Sequence, residues 1–487
     1  MDWQTQYETT LTKALQAGDL AGARALTQSF HRTGSARTAR LCYLEAVLHY
    51  YEGRYPLALF WADKGFLLDP SYPPLHELLG LLREFQGDFS EYTPAFSFDV
   101  SSEHRPLRII LVEGPLKIVN YTAEQFREDF EALGHEVFIF VASAIEKDSA
   151  AFWEFVKRGV DFCLTFNNMA VARRLQNGEY LWDYLHIPCF DYMFDHPLYF
   201  FDTFDDPPSS AVVTCVDRRH TEYVKRFYPG VKNCFFFPLA GEELFREEII
   251  PWQERSLQAL YVGSLKKNPQ AAEDAFSRKI TRLLCSHTKL TVEEAVEQLL
   301  GPVDEITLKK TLEKYRYCDL NTNSVFRENL VRVLVKAGIH VTVCGSGWEE
   351  CDFSDSPFFH YQGLISQEEC ILKMQDTRFV LNSMPWFKDG THDRVYNAML
   401  AHALCITDPS GYLAEEFKDR EDILYYSLDE MEKLPELIRY YEAHPEEAVC
   451  IIERGYQKAV LSHTWQNRSI ELLTRFFKKN YQSAPPV

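Results

Sequence analysis

The sequence predicts an α/β protein with two tandem, doubly wound parallel-sheet domains behind an all-helical segment. Three observations predict it. Triplets of Gly, polar and apolar residues (Gly18-Asp19-Leu20, Gly53-Arg54-Tyr55, Gly87-Asp88-Phe89) recur at spacings of 35 and 34 within helical periodicity. From Leu107 onward, strand-sized apolar runs alternate with amphipathic helical stretches, the pattern of a parallel sheet. The alternation pauses near residue 245 and starts again at Leu257.

Composition narrows the function. The 487 residues fit about three domains. An apolar share of 46% supports sizeable cores and excludes wholesale disorder. With 51 basic and 71 acidic residues the net charge is −20, which disfavours general nucleic-acid binding and adhesion to anionic lipid. A local basic pocket for one phosphate group stays open. The start MDWQTQYETT has no basic stretch leading into an apolar run, and no apolar run reaches 18 residues. Neither a secretory signal nor membrane insertion is expected. The 12 cysteines are scattered without a CxxC pair, and Cys189, Cys344 and Cys405 stand in apolar runs. Free thiols of this kind fit a reducing cytosol, so a cytoplasmic location is expected.

Residues 1–98 are expected to be helical. The near-34 period, Ala23 and Ala58 after the turns, Asp69-Pro70 closing a helix and a small residue at Gly80 resemble tetratricopeptide repeats. That resemblance implies a stacked concave surface suited to a protein or peptide partner; the alternative is a helical cap.

The first parallel-sheet domain is expected at 105–250. Residues 107–114 read as a buried strand ending in a Gly turn, 124–132 as a helix stopped by Gly134, and 135–141 as the next strand. Strands at 161–166, 189–194, 211–215 and 233–237 follow, with a helix at 221–227.

The second domain is expected at 255–460. Its first strand ends at Gly263-Ser264, and a charged helical insertion at 265–318 separates it from a helix at 325–336. Next come a strand at 340–344 with the turn Gly345-Ser346-Gly347-Trp348, a strand at 358–362 and a helix at 368–375. A strand at 378–382, a helix at 393–401 and a strand at 404–407 complete it. Residues 461–487 hold a last helix, at about 464–479, long enough to cross back to the first parallel-sheet domain.

Several chemistries are excluded. No GxGxxG follows the strand at 107–114, and Gly345-x-Gly347 has Glu350 where a third Gly would stand. The chain has no GxxxxGK[ST], HExxH or GxSxG, and no two Asp separated by a single residue. Dehydrogenase, P-loop NTPase, zincin and serine-hydrolase readings fall, and no metal site is expected.

The informative segment runs from Val380 to Asp408 as strand, polar loop, helix and strand. Free N–H groups at the start of that helix favour an anion, and Lys388 and Arg394 add charge-assisted donors. Asp389 and Thr391 also suit plain helix capping, so an ordinary α/β helix start is the alternative. The segment resembles the donor site of two-domain (GT-B) glycosyltransferases, whose halves are Rossmann-like. More narrowly it resembles the CgeB-like, spore-maturation-protein-like group, through His392, Arg394, Ala398 and the strand ending at Thr407-Asp408.

The resemblance implies a nucleotide-sugar donor, UDP-sugar first, held by Gly263, Ser264, Gly345, Trp348, Gly363, Lys388, Gly390, Thr391, His392, Arg394 and Asn397. Asn397 departs from the Glu that related retaining enzymes carry there to bind the donor ribose. Lys388, Arg394 and the helix-start N–H groups would stabilise the leaving diphosphate without metal.

A base for the acceptor hydroxyl would come from Asp195-His196, directly after the strand at 189–194, with His196 as base or ligand and Asp195 orienting it. A turn is the alternative there. Helical repeats ahead of a GT-B core resemble protein O-GlcNAc transferases, which implies a protein acceptor such as a flagellin or surface protein. A glycan or lipid-linked acceptor, and a non-catalytic sugar-nucleotide sensor, are the other readings.

Overall fold

A computed structural model describes residues 3–31, 38–52, 55–85, 106–115, 117–142, 145–244, 249–266 and 274–482. The chain divides into two compact units. One holds residues 1–162, 245–248 and 460–487, the other 163–244 and 249–459.

The smaller unit opens with α1 (Trp3–Gln16), α2 (Leu20–His31), α3 (Ala39–Tyr51), α4 (Tyr55–Leu68) and α5 (Pro73–Phe85). Gly18, at φ +73, makes the α1–α2 turn, and the Asp19 carboxylate accepts from Gly22 N at 2.8 Å to cap α2. Leu11, Ala23, Leu41 and Leu48 are buried in the core of this bundle. Gly65 in α4 lets Leu75 and Cys42 approach closely, whereas Gly80 is exposed with open space at its Cβ position. A close approach therefore does not explain a small residue at 80. The triplet residues Gly53, Arg54, Gly87, Asp88 and Phe89 lie outside the described residues.

After these helices come β1 (Arg108–Glu113), α6 (Lys117–Ala132), β2 (Glu136–Val141) and α7 (Ile145–Lys157). The larger unit continues with β3 (Phe162–Phe166), α8 (Leu181–Tyr184), β4 (Cys189–Met193), α9 (Phe201–Asp205), β5 (Ala211–Cys215), α10 (Arg218–Phe227) and β6 (Cys234–Phe236). Strands β1 to β6 form one six-stranded sheet in the order β2-β1-β3-β4-β5-β6. The pairs β1–β2, β3–β4, β4–β5 and β5–β6 are parallel.

The second sheet starts at β7 (Leu257–Val262). The insertion supplies α11 (Ala275–Ser286), α12 (Val292–Leu300) and α13 (Glu305–Lys314) before the long α14 (Cys318–Lys336). Then follow β8 (Val341–Cys344), β9 (Phe359–Gly363), α15 (Gln367–Gln375), β10 (Thr377–Leu381), α16 (Asp393–Leu400), β11 (Leu404–Thr407), α17 (Gly411–Glu416) and β12 (Leu424–Tyr425). The sheet order is β12-β11-β10-β7-β8-β9, again parallel. The two parallel sheets are those the alternating pattern predicts. Short β12 and helix α7 are additions the pattern did not single out.

Helices α18 (Leu434–Ala443), α19 (Pro445–Ser462) and α20 (Trp465–Gln482) end the chain. Within the smaller unit, α20 packs on α6: Trp465 lies 5.9 Å from the Phe126 ring, and Ser469 Oγ donates to Asp129 at 2.8 Å.

The insertion helices carry Ile280, Leu284, Val292, Val296, Leu308 and Leu312 into one core with Val213, Tyr223, Val224 and Phe227. They are charged on the outside and apolar beneath. Among the described residues no helix is long and apolar enough to cross a membrane.

Candidate active site

Strand order locates the site. The second sheet begins at β7, runs outward through β8 and β9, and returns to the other flank of β7 with β10. The chain thus departs in opposite directions from the carboxyl ends of β7 and β10, and a crevice opens at such a switch point. The segments there are Gly263–Lys266 after β7 and Asn382–His392 after β10, both in the larger unit.

The loops after β7 and β8 are interlocked backbones. Gly263 N donates to Cys344 O at 2.8 Å, Leu265 N to Ser346 O at 2.8 Å, and Ser346 N to Ser264 Oγ at 3.0 Å. Gly345 (φ +146) and Gly347 (φ +85) are required: a Cβ on either would stand 2.3 Å and 2.4 Å from the carbonyl oxygens of Gly263 and Leu265. Trp348 is fully buried, and its Nε1 donates to Gly263 O at 2.8 Å. The indole pins this crossing and offers no face to a donor, a correction to its sequence-based assignment. Gly363 (φ +70) ends β9 in the open, and the next residue, Leu364, is 76% exposed.

The loop after β10 is strapped on both sides. A Cβ at Gly390 would lie 2.3 Å from Val216 O, so this glycine serves a close approach to the end of β5. Asp389 N donates to Asp217 Oδ2 at 2.8 Å, and Ser410 Oγ donates to Gly390 O at 2.5 Å. Burial pushes the Asp217 carboxyl up to about 6. Thr391 is fully buried, its hydroxyl 3.3 Å from His392 O. Lys388 donates to Thr288 O at 2.5 Å and Pro385 O at 2.6 Å. Burial lowers its pKa to about 8. Lys388, Gly390 and Thr391 therefore build the loop, and in this structure their polar groups are turned to protein.

His392 and Arg394 do converge. Arg394 Nη1 donates to Asn382 Oδ1 at 2.5 Å and Nη2 to His392 Nε2 at 3.0 Å. Because a guanidinium only donates, Nε2 is the acceptor and the ring proton sits on Nδ1, facing Asp393. Burial and the neighbouring Arg394 hold His392 below its ordinary pKa, so it is neutral. Asp393 itself caps the helix, accepting from Arg394 N at 2.9 Å. The start of α16 is thus already provided with a carboxylate.

The free charge lies deeper. Arg394 is 6% exposed, and its guanidinium sits 5.6 Å from the centre of the Tyr261 ring. Arg327 of α14 donates Nη1 to Ser264 O at 2.8 Å, and its buried Nε has no partner. Burial and the proximity of Arg327 both lower the Arg394 pKa. Among the described residues neither guanidinium has a carboxylate within ion-pair distance. A buried guanidinium with a second, half-buried one close enough to act on it is costly without a counter-ion unless an anion completes the pair. Arg327 was not singled out in the sequence because it lies mid-helix, remote in sequence from the loop it serves.

Asn397 is buried. Its Oδ1 accepts from Glu242 N at 2.9 Å and its Nδ2 reaches Asp393 Oδ2 at 3.4 Å. The amide brackets two segments, so a ribose contact is corrected to a structural role. Asp408, with a pKa pushed up to about 6 by burial, accepts from Met384 N at 2.8 Å and fixes the start of the loop.

On the first sheet, His196 is 4% exposed and edge-on to His220, Tyr223 and Trp386. Its Nδ1 accepts from Leu198 N at 3.0 Å, which puts the proton on Nε2, 3.4 Å from Glu293 of α12. Burial would raise the Glu293 pKa, but His196 and Thr291 hold it low. Both nitrogens of His196 are engaged and its ring is enclosed, so a base role for it is corrected to a structural one. Asp195 is different: it is exposed, and its Oδ2 accepts from Asn167 Nδ2 at 2.9 Å.

Residues 327–474, a span that includes Arg327, His392 and Arg394, match the glycosyl transferase-like family. The matched span is a glycosyltransferase-like domain. No curated protein sequence matches the chain.

Among solved structures, sucrose-phosphate synthase from Thermosynechococcus elongatus is 11% identical with a TM-score of 0.47, covering 78% of this chain and 100% of that one. Anabaena HepE in complex with UDP-glucose is 8% identical with a TM-score of 0.43, covering 76% and 100%. A mutant O-GlcNAc transferase from Thermobaculum terrenum is 12% identical with a TM-score of 0.42, covering 100% of both chains.

Proposed function

We propose that the protein transfers a sugar from a nucleotide-sugar donor whose diphosphate lies against Arg327 and Arg394 at the switch point of the second sheet. The carrying observation is the buried Arg394 guanidinium beside half-buried Arg327, whose Nε is buried without a partner, neither having a carboxylate within ion-pair distance among the described residues. A diphosphate supplies the missing charge, and the same pair holds the charge that grows on it as the sugar leaves. Neutral His392 and the side-chain amide oxygen of Asn382 keep the guanidinium of Arg394 aimed while adding no competing anion. The exposed turn at Gly363-Leu364 is the place for the base of the nucleotide. UDP is the first candidate, and two guanidiniums in place of a metal make the donor step metal-independent in this reading.

The acceptor is the finer part. Residues 1–98, read as tetratricopeptide-like repeats, are the segment available to a protein or peptide acceptor, and the CgeB-like subgroup is the narrower assignment. A donor-binding sensor is the second reading, favoured by the enclosure of His196, which removes the first candidate base.

The test is a thermal-shift and nucleotide-release screen against UDP-, GDP-, dTDP- and CMP-sugars with chelator present. A ligand at 100 times its Kd stabilises by about 2.7 kcal/mol, a readily measured shift. A hit that releases nucleoside diphosphate and is lost in Arg394→Ala establishes the reading. A hit without release favours the sensor, and silence across the panel removes the donor site.

A further inference from the structure

We propose that Asp195 is the group that takes the proton from the incoming hydroxyl, with Asn167 as the residue that positions it; this rests on the sugar-transfer reading above. The two follow the carboxyl ends of β4 and β3. Asn167 and Asn168 stand at φ +44 and +60, consecutive left-handed residues that are not glycine. Asn tolerates that region better than other side chains, yet two in a row store strain that the surroundings must hold. What the turn achieves is visible in the bonds. Asn167 Oδ1 accepts from Phe194 N at 2.7 Å and Asp195 N at 3.2 Å, while Nδ2 donates to Asp195 Oδ2 at 2.9 Å. One amide therefore fixes both the backbone and the carboxylate of Asp195. Oδ1 of Asp195 takes no bond from the described residues.

The Lys266 ammonium, just after β7 and two residues from the Ser264 carbonyl that receives Arg327, acts on the Asp195 carboxylate electrostatically. The other titratable groups around it are His196 on its own loop, Tyr199 and, from α14, Asp319. The residue is exposed by area, with protein groups close around its carboxylate. That surrounding raises its pKa, against the pull of Lys266, Asn167 and His196, and a raised carboxylate is the stronger base.

The step balances. The acceptor O–H bond breaks and its proton passes to Asp195, while the oxygen forms a bond to the anomeric carbon. The bond from that carbon to the diphosphate oxygen breaks, and its electron pair leaves on the diphosphate. Nothing is oxidised or reduced.

The experiment uses the full chain with UDP-glucose, UDP-N-acetylglucosamine and GDP-mannose, water serving as acceptor, and follows nucleoside diphosphate release from pH 4.5 to 9. Binding of UDP is measured in parallel. Asp195→Asn is expected to lower kcat on the order of 100-fold or more, abolish the acid limb of the pH profile and leave UDP affinity within about twofold. Asn167→Gly keeps the left-handed backbone but removes the amide. It is expected to lower kcat about tenfold at unchanged KM and to move the acid limb to higher pH, because the carboxylate loses a donor. Asp195→Asn with wild-type turnover and an unchanged acid limb, while UDP still binds, overturns the base and leaves the donor site standing. Failure of the wild type to bind UDP or release diphosphate from any of the three donors overturns the donor reading and this inference with it.

Discussion

A buried guanidinium without a carboxylate is an unstable bargain in the free protein and an advantage once an anion arrives. Arg394 keeps its fork directed by donating to Asn382 and His392, both neutral, so its charge is oriented without being cancelled. Removing it should separate function from stability. Arg394→Ala is expected to weaken UDP binding on the order of 100-fold by calorimetry while leaving the Tm of the unliganded protein unchanged or raised, since repulsion from Arg327 is relieved. A clear fall in that Tm with UDP binding retained would make Arg394 a structural residue.

Gly345→Ala should behave oppositely. A Cβ there meets the Gly263 carbonyl at 2.3 Å with φ at +146, so a loss of about 2–4 kcal/mol in denaturant unfolding is expected. At this scale the sequence was informative about place and less so about role. Gly263, Gly345 and Gly390 were legible as strand-end turns, because a parallel strand that reverses in a polar Gly loop has few alternatives. That Gly345 and Gly390 admit neighbouring backbone, and that Trp348 and Asn397 bond to other segments, depends on partners distant in sequence.

At the scale of elements, the insertion between β7 and α14 read as a charged helical stretch, and only half of that reading concerned its surface. Thr291 and Glu294 form a reciprocal capping box at the start of α12, a local signal present in the sequence. The apolar faces of α11 to α13 find their partners on β5 and α10, and the ion pair Arg226 and Glu305 beside them spans 79 positions of the chain, which no local periodicity reports. The two kinds of contact should differ in weight. Arg226 bridges Glu297 and Glu305 at 2.8 Å and 2.7 Å but is well exposed, so Arg226→Ala is expected to cost under about 1 kcal/mol, and less at high salt. Leu312 is fully buried, and Leu312→Ala should cost about 2–5 kcal/mol. Urea unfolding of both variants at low and high salt decides it; a salt-sensitive Arg226 effect as large as that of Leu312 would make the ion pairs, and not the core, the fastening of the insertion.

Over the whole molecule, an acidic chain has buried several of its carboxylates without a cation against them, and its stability should carry that signature. Burial raises Asp129, Asp191 and Asp319 to about 7, and Asp217 and Asp408 to about 6. A carboxyl whose folded pKa exceeds its unfolded value contributes stability that is complete below the unfolded pKa, near 3.8, and is lost as pH rises through the folded one. His220 and His392, held neutral by burial, act in the opposite sense and weaken the fold as pH falls below about 6.5. Between pH 6.5 and 8 the three carboxyls near 7 dominate, and the free energy of unfolding should decline. Asp129 tests the cause by itself. It lies between α6 and α20 with Ser469 Oγ at 2.8 Å, within the smaller unit, and Asp129→Asn preserves its shape without the titration. The variant should gain on the wild type progressively from pH 5 to pH 8 in urea unfolding at fixed ionic strength. A difference that stays flat over that range would mean that Asp129 is ionised at no cost in the folded chain, and that the decline must be sought in the net charge.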